Sequence, residues 1–234
     1  MTKENKPFVT AIILAAGVGC RMKLRVTKQQ IMLVEESVLS RSVRAFEEAE
    51  CIDAIVVVCR EDEREFVFSE VARYKKVVSV VNGGNTRAES ARLGFMSVPE
   101  GDGFVAIHDA ARCLVTPEMI ERVVSCAFDF GAATAAKKIT DSIKRVDADG
   151  MILESVPRED LYAAQTPQVF KIEDYALGLK KCSSASSITD DNMIVESIGK
   201  KVFCVDCGEE NLKITVQEDI SYAEFLIRRR MRNV

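Results

Sequence analysis

Short apolar runs alternate with stretches of helical periodicity through most of the chain. Five runs read as strands: Phe8–Leu14, Ala54–Cys59, Val77–Asn82, Phe104–His108 and Ala132–Ile139, each followed by a loop or helix of suitable length. That alternation predicts a single α/β domain over residues 1–234, a Rossmann-like, mostly parallel sheet with flanking helices. Helix starts are marked as well. Ser37 can cap a helix through Val38, Ser42 and Phe46, and Thr116-Pro117 puts proline at a first helical position. Asp62 with Glu65, Thr86 with Glu89, and Thr215 with Glu218 all match the spacing of a capping box.

The pattern changes after the fifth strand. Ile143 and Arg145, then Ile152, Glu154 and Val156, flank Asp147-Ala148-Asp149-Gly150, which predicts a β-hairpin turning at Gly150. An arm over about residues 139–160 leaves the α/β alternation. A projecting ribbon needs a cover, and a symmetric homodimer is the simplest one; a hairpin folded back on its own sheet is the alternative.

Composition narrows the partners. In 234 residues the apolar fraction is 47% and the charged fraction 29%, enough for a substantial core. A net charge of −4 without a basic run argues against nonspecific nucleic-acid binding. Residues 1–7 lack the apolar core of a signal peptide, and no stretch approaches the ~20 apolar residues of a membrane span, so the expectation is a cytoplasmic protein. The eight cysteines are then expected to be reduced, several of them inside apolar runs. Cys204 and Cys207 form a lone CxxC in the strand-like run Val202–Cys207, and no second ligand pair accompanies it for zinc.

Three stretches carry chemistry. The first strand runs into Leu14-Ala15-Ala16-Gly17-Val18-Gly19-Cys20-Arg21-Met22, with Lys28 six residues on. Small residues after a strand let backbone N–H groups approach a phosphate chain, and the two cations add charge. The loop is neither a Walker A sequence nor a GxGxxG. Asn82-Gly83-Gly84-Asn85-Thr86-Arg87-Ala88-Glu89-Ser90 follows the third strand and fits either a ligand lying against backbone or a plain βα turn. In His108-Asp109-Ala110-Ala111-Arg112, a strand-terminal aspartate suggests a metal ligand and Arg112 a partner for an anion. His108 is the single histidine and reads as packing, which leaves no hydrolase triad. Arg158, Gln165-Thr166-Pro167-Gln168, Asp190-Asp191 and Asn211–Thr215 matter only if they converge on one pocket.

Taken in order, LAAGVGCRM, Lys28-Gln29, GGNTRAES, HDAAR, Asp141-Ser142-Ile143-Lys144, QTPQVF, TDD and NLKIT resemble the 2-C-methyl-D-erythritol 4-phosphate cytidylyltransferases of non-mevalonate isoprenoid biosynthesis, from Ala11 to Phe225. The resemblance implies an enzyme that joins CTP to methylerythritol phosphate with Mg²⁺, as a homodimer through the β-arm. It implies that Ala15, Ala16, Gly17 and Gly19 cradle the triphosphate, and that Arg21 and Lys28 stabilise its charge. Gly84, Asn85 and Ser90 would read cytosine, Asp109 would hold the metal, and Lys213 would bridge the two phosphates. Ala110, Arg112 and Thr166, with Ser142 and Arg158 from the other subunit, would bind methylerythritol phosphate. A cytidylyltransferase for another polyol phosphate such as ribitol 5-phosphate, and a non-catalytic nucleotide-binding protein, are the other readings.

The chain departs from the family pattern in places. Thr27, Cys113 and Gln217 stand where proline is usual, Lys137-Lys138 where a small residue and proline are, Asn85 for an acid, and Ser142 for threonine. Thr27 predicts a less rigid loop before Lys28.

Overall fold

The computed structural model describes residues 6–17, 27–99, 101, 103–182 and 188–232. Among them, strands β1 (Phe8–Leu14), β4 (Ala54–Cys59), β5 (Val77–Asn82), β6 (Gly103–Asp109), β7 (Ala132–Lys138), β10 (Tyr162–Lys171) and β11 (Phe203–Asp206) form one sheet. Its order is β5-β4-β1-β6-β10-β7-β11, and every neighbouring pair is parallel except the two that involve β10. The five strands expected from the apolar runs recur with ends moved by at most one residue. β10 is the strand the pattern hid. Its segment Gln165–Phe170 is buried on both faces, so it shows no alternation, and three of its buried side chains are the polar Gln165, Thr166 and Gln168.

Helices α1 (Val38–Glu48), α2 (Arg64–Val71) and α4 (Pro117–Phe130) cover one face; α3 (Arg87–Phe95), α5 (Ile172–Lys181) and α6 (Asn192–Glu196) cover the other. β1 divides its side chains between them, Val9, Ala11 and Ile13 to the first, Ile12 and Leu14 to the second. A third cluster lies beside the sheet. There α7 (Glu218–Arg232) packs Ala223, Leu226 and Ile227 against Leu33 of β2 (Met32–Leu33), Val38, Cys113, Leu114 and Ile214. β2 pairs only with β3 (Glu36–Ser37), which leads into α1.

The helix caps divide. Ser37 accepts from Ser40 N at 3.1 Å, Thr86 from Glu89 N at 3.1 Å and Thr116 from Met119 N at 3.3 Å. The box of Thr86 with Glu89 is only half formed, since the Glu89 carboxylate takes Asn85 N, and the other two expected boxes do not form. Asp62 instead binds Arg60 bidentately, and a 3₁₀ turn over Glu61–Glu63 precedes α2. Ahead of α7 it is Asp219, one residue beyond Glu218, that accepts from Thr215 and Val216. The side chain with the shorter reach to those N–H groups takes the cap.

The hairpin forms as expected from β8 (Ile143–Val146) and β9 (Ile152–Val156), with Gly150 at φ 86°. It is a separate sheet, and Val146, Met151, Ile152 and Leu153 stand at least half exposed along it. The seven cysteines among the described residues are free thiols; Cys20 lies outside them. No described helix is long and apolar enough to cross a membrane.

Gly94 sets how closely α3 approaches the sheet. A Cβ there would meet Ile12 Cγ2 at 2.6 Å and Val58 Cγ2 at 2.7 Å, both in the core. Gly→Ala in a helix interior ordinarily stabilises by about 1 kcal/mol. Here overpacking reverses the sign, and Gly94→Ala is expected to destabilise by about 1–3 kcal/mol in denaturant unfolding. An unchanged or raised midpoint would show that α3 can move outward freely.

Candidate active site

β5, β4, β1 and β6 run parallel, so their carboxyl ends share one edge of the sheet. β1 has β4 on one side and β6 on the other, which makes the β1/β6 boundary a switch point where ligands of α/β sheets bind. Leu14 and Asp109, the last residues of these strands, are register partners. A cleft of about 970 Å³ opens above them. It is lined by Ala16 and Gly17 after β1, Arg60–Asp62 after β4, Gly83–Thr86 after β5, then Arg87, Ser90, Asp109, Lys28 and Lys213. Of the stretches that had value only in combination, Lys213 reaches the cleft wall, whereas Arg158, Gln165-Thr166-Pro167-Gln168 and Asp190-Asp191 do not line it.

The glycine loop after β5 is built for close approach. A Cβ on Gly83 would lie 2.6 Å from Ala16 Cβ and 2.8 Å from Ser90 Oγ, so a side chain there would close the gap between the two loops. Gly84 N donates to Ser90 Oγ at 3.1 Å and Asn85 N to Glu89 Oε2 at 2.9 Å, which folds the loop onto the first turn of α3. Ser90 is thereby a buried brace for the loop, while Asn85 is exposed at the cleft wall.

Asp109 is the centre of an ion cluster. Arg87 Nε donates to its Oδ1 at 2.9 Å and Lys213 Nζ to its Oδ2 at 2.7 Å. Arg87 Nη1 also reaches Asp191 Oδ2 at 2.6 Å, and Asp191 Oδ1 accepts from Tyr175 OH at 2.7 Å. Burial alone would raise the Asp109 carboxyl, but Arg87 and Lys213 outweigh it and hold the group far below the usual carboxylate range. Burial likewise opposes the charge on Arg87, yet Asp191 and Asp109 raise its pKa further. Asp191, 1% exposed, is pushed upward by burial against the pull of Arg87 and Tyr175. Arg87, Tyr175 and the role of Asp191 were not singled out from the sequence. The available signal was an arginine opening a helix directly after a glycine loop, with a distant acidic pair.

The remaining site residues hold this geometry in place. Lys28 begins a 3₁₀ turn over Lys28–Gln30, and its ammonium donates to Ile214 O at 3.0 Å. Ile214 N in turn bonds Ala111 O at 2.8 Å, so the third core cluster ties both lysines to the end of β6. Thr27 N donates to Gln30 Oε1 at 3.3 Å, a contact proline could not make. Thr166 is buried, accepts from Asp109 N at 3.1 Å and shares a 3.0 Å hydrogen bond with His108 Nδ1; it fixes Asp109 from behind. Ala15 and Ala110 are buried, and their N–H groups bond Val58 O and Leu14 O. Arg112 Nη1 donates to Asn211 O at 2.8 Å, while its buried Nε has no partner among the described residues. Arg112 does not line the cleft. Ser142 and Arg158 are exposed at the two feet of the hairpin, and neither lines the cleft of its own chain. Gly19 and Arg21 lie outside the described residues.

Among the described residues no group of three acidic, histidine or cysteine side chains is arranged for a metal. Glu61 and Asp62 also line the cleft, but Asp109 is the carboxylate at the end of a central strand, each oxygen accepting one protein hydrogen bond and keeping lone-pair capacity. One carboxylate fits Mg²⁺ that arrives with phosphate ligands, which is its usual manner of binding.

The profile of the 2-C-methyl-D-erythritol 4-phosphate cytidylyltransferase family matches residues 9–229. Enzymes of that name from Parasynechococcus marenigrum and Caldanaerobacter subterraneus are 37% and 36% identical, covering 92% and 94% of this chain and 96% and 99% of their own. The crystal structure of 4-diphosphocytidyl-2C-methyl-D-erythritol synthase from Anaerococcus prevotii superposes with a TM-score of 0.83 at 29% identity, over 95% of this chain and 96% of that one. A Francisella tularensis 2-C-methyl-D-erythritol 4-phosphate cytidylyltransferase gives 0.78 at 26%, over 93% and 99%.

His108 is fully buried against Phe46, and burial lowers its pKa to about 3. The unfolded chain binds a proton near pH 6.5 that the folded chain refuses, so this residue makes stability fall as pH drops from about 6.5 towards 3. Because it is the single histidine, wild type is expected to lose about 1.5 kcal/mol more than His108→Gln between pH 6.5 and 5.0 in denaturant titrations. Parallel losses in the two proteins would mean that the imidazole charges in place.

Proposed function

The chain belongs to the 2-C-methyl-D-erythritol 4-phosphate cytidylyltransferase family, a family of nucleotidyltransferases in isoprenoid biosynthesis, and from that membership we infer what its cleft does. It joins CTP to methylerythritol phosphate, giving 4-diphosphocytidyl-2-C-methyl-D-erythritol and pyrophosphate. The observation that carries this reading is the convergence of Lys28, Asp109 and Lys213 on one cleft at the switch point of the sheet. A pure nucleotide binder has no use for all three, and the relatives lend nothing to ribitol phosphate as acceptor.

An oxygen of the acceptor phosphate attacks the α-phosphorus of CTP in line. The new P–O bond forms as the bond to the β-phosphate oxygen breaks, and pyrophosphate leaves. The attacking group is already an anion, so catalysis depends on positioning and charge neutralisation. The backbone at Ala16 and Gly17 and the Lys28 ammonium receive the triphosphate, with Arg21 assigned beside them by the family resemblance alone. Asn85 offers a side-chain carbonyl to the cytosine amino group. Lys213 stands between the two phosphates, and Arg112 is assigned to the acceptor by the family resemblance alone. Asp109 would hold Mg²⁺, which supplies further neutralisation of the triphosphate when bound.

The exposed apolar residues of the hairpin support a homodimer in which Ser142 and Arg158 complete the acceptor site of the other subunit. Free thiols and the lack of a described membrane-spanning helix are compatible with a cytoplasmic location.

The direct test is pyrophosphate release from CTP and Mg²⁺ with methylerythritol phosphate, with ribitol 5-phosphate and no acceptor as controls. Release dependent on methylerythritol phosphate is expected; release with ribitol 5-phosphate alone would move the substrate. Lys28→Ala is expected to lower kcat by about 10²–10³-fold, because its charge acts mainly on the transition state. Wild-type turnover in that variant would remove Lys28 from the mechanism. Arg158→Ala should raise KM for the acceptor, and a fully active monomer would overturn the shared site.

A further inference from the structure

Asp191 does not line the cleft, yet both its carboxylate oxygens and its N–H are bonded within the protein. Its Oδ2 takes Arg87 Nη1 at 2.6 Å, its Oδ1 takes Tyr175 OH at 2.7 Å, and its N–H donates to Gln168 Oε1 at 2.9 Å. Tyr175 is itself locked, stacked on Phe170 at 5.6 Å and edge-on to Phe95 at 5.0 Å. Arg87 bridges outward from this anchor. One edge of its guanidinium is on Asp191 and its Nε is on Asp109, so the rigid fork couples the orientation of one carboxylate to the other. Lys213, the other cation on Asp109, is half-exposed on a flexible stem and can leave for a phosphate. A buried ion pair of this kind is no general requirement for stability, since apolar residues of similar size often do as well.

We propose that Asp191 is a positioning residue: acting through Arg87, it fixes the Asp109 carboxylate in the orientation that receives a divalent cation with its nucleotide. The Tyr175 hydroxyl is the inner support of the same chain. This rests on the functional reading above for the choice of nucleotide, but its readout is binding, so it can stand or fall separately.

The competing account is that Asp191 only neutralises a buried arginine. Calorimetric binding of CTP with and without Mg²⁺ separates the two. Asp191→Asn is expected to lower the Mg²⁺-dependent gain in CTP affinity about 10-fold while leaving Mg²⁺-free affinity within about twofold. Arg87→Met combined with Asp191→Leu leaves no stray charge at the bridge. It should regain the unfolding temperature lost in Asp191→Asn, but not the Mg²⁺-dependent gain. Tyr175→Phe, which removes one hydrogen bond, should show the same loss in smaller degree, and it carries the test if Asp191→Asn does not fold. Full Mg²⁺ enhancement in Asp191→Asn, or recovery of both properties in the double variant, would overturn the proposal. Wild-type protein that binds CTP more tightly with Mg²⁺ yet turns over no acceptor would instead defeat the functional reading and leave this one tested.

Discussion

A carboxylate that must stay charged at the buried end of a strand is the constraint around which the site is arranged. Asp109 ends β6 at the switch point, where desolvation alone would cost several kcal/mol unless the charge is paired. Its two partners come from chain segments 22 and 104 residues away, so the pairing joins the start of α3 and the segment before α7 to the central strand. Arg87 then needs its own second partner, and Asp191 provides it from yet another segment. Two carboxylates, Asp109 and Asp191, meet two cations, Arg87 and Lys213, and the cluster closes near neutrality. A triphosphate entering such a cleft brings charge the cluster cannot absorb.

The third hydrophobic cluster is what makes that arrangement hold. Lys28 and Lys213 lie 185 positions apart in sequence and belong to no strand of the sheet. They meet because Ile214 is buried between α7 and the β2–α1 segment, with its carbonyl turned to Lys28 and its N–H to Ala111. Packing therefore sets the position of two charges that line the cleft. Loss of α7 contacts should be felt in the cleft although no α7 residue lines it.

Much of the fold was legible because parallel strands buried on both faces read as continuous apolar runs, as at Ala54–Cys59. β10 escaped the same reading because its buried positions are Gln165, Thr166 and Gln168, which look like surface until the groups they serve are known. Thr166 serves Asp109 N, Gln165 serves Asn211, and Gln168 serves Asp191. Glycine loops and strand-end charges exposed the cleft, since those features have few other uses together. The Arg87–Asp191–Tyr175 chain was not legible, because an arginine at a helix start and an aspartate after a serine-rich stretch of sequence each pass for solvated residues. Only the three-dimensional pairing distinguishes them. Capping boxes failed at Asp62 and Glu218 for a related reason: the spacing rule does not know that a neighbouring arginine or the next acid competes for the role.

The departures from the family pattern can be weighed on the same footing. Thr27 gives up the rigidity of proline but gains an N–H that Gln30 accepts, so the turn that presents Lys28 is closed by a different contact. Cys113 sits 4% exposed among Ile31, Val38 and Ile214, with its thiol pushed up to about 12 by burial, so it packs as a neutral apolar group. Gln217 removes a helix-start proline where Asp219 already caps three donors. Lys137 is absorbed by an ion pair with Glu209 at the end of β7. In each case the local structure supplies a substitute that leaves the charges on the cleft unchanged. A site that depends on charge placement tolerates such exchanges as long as the packing beneath the charges is kept, and here it is kept.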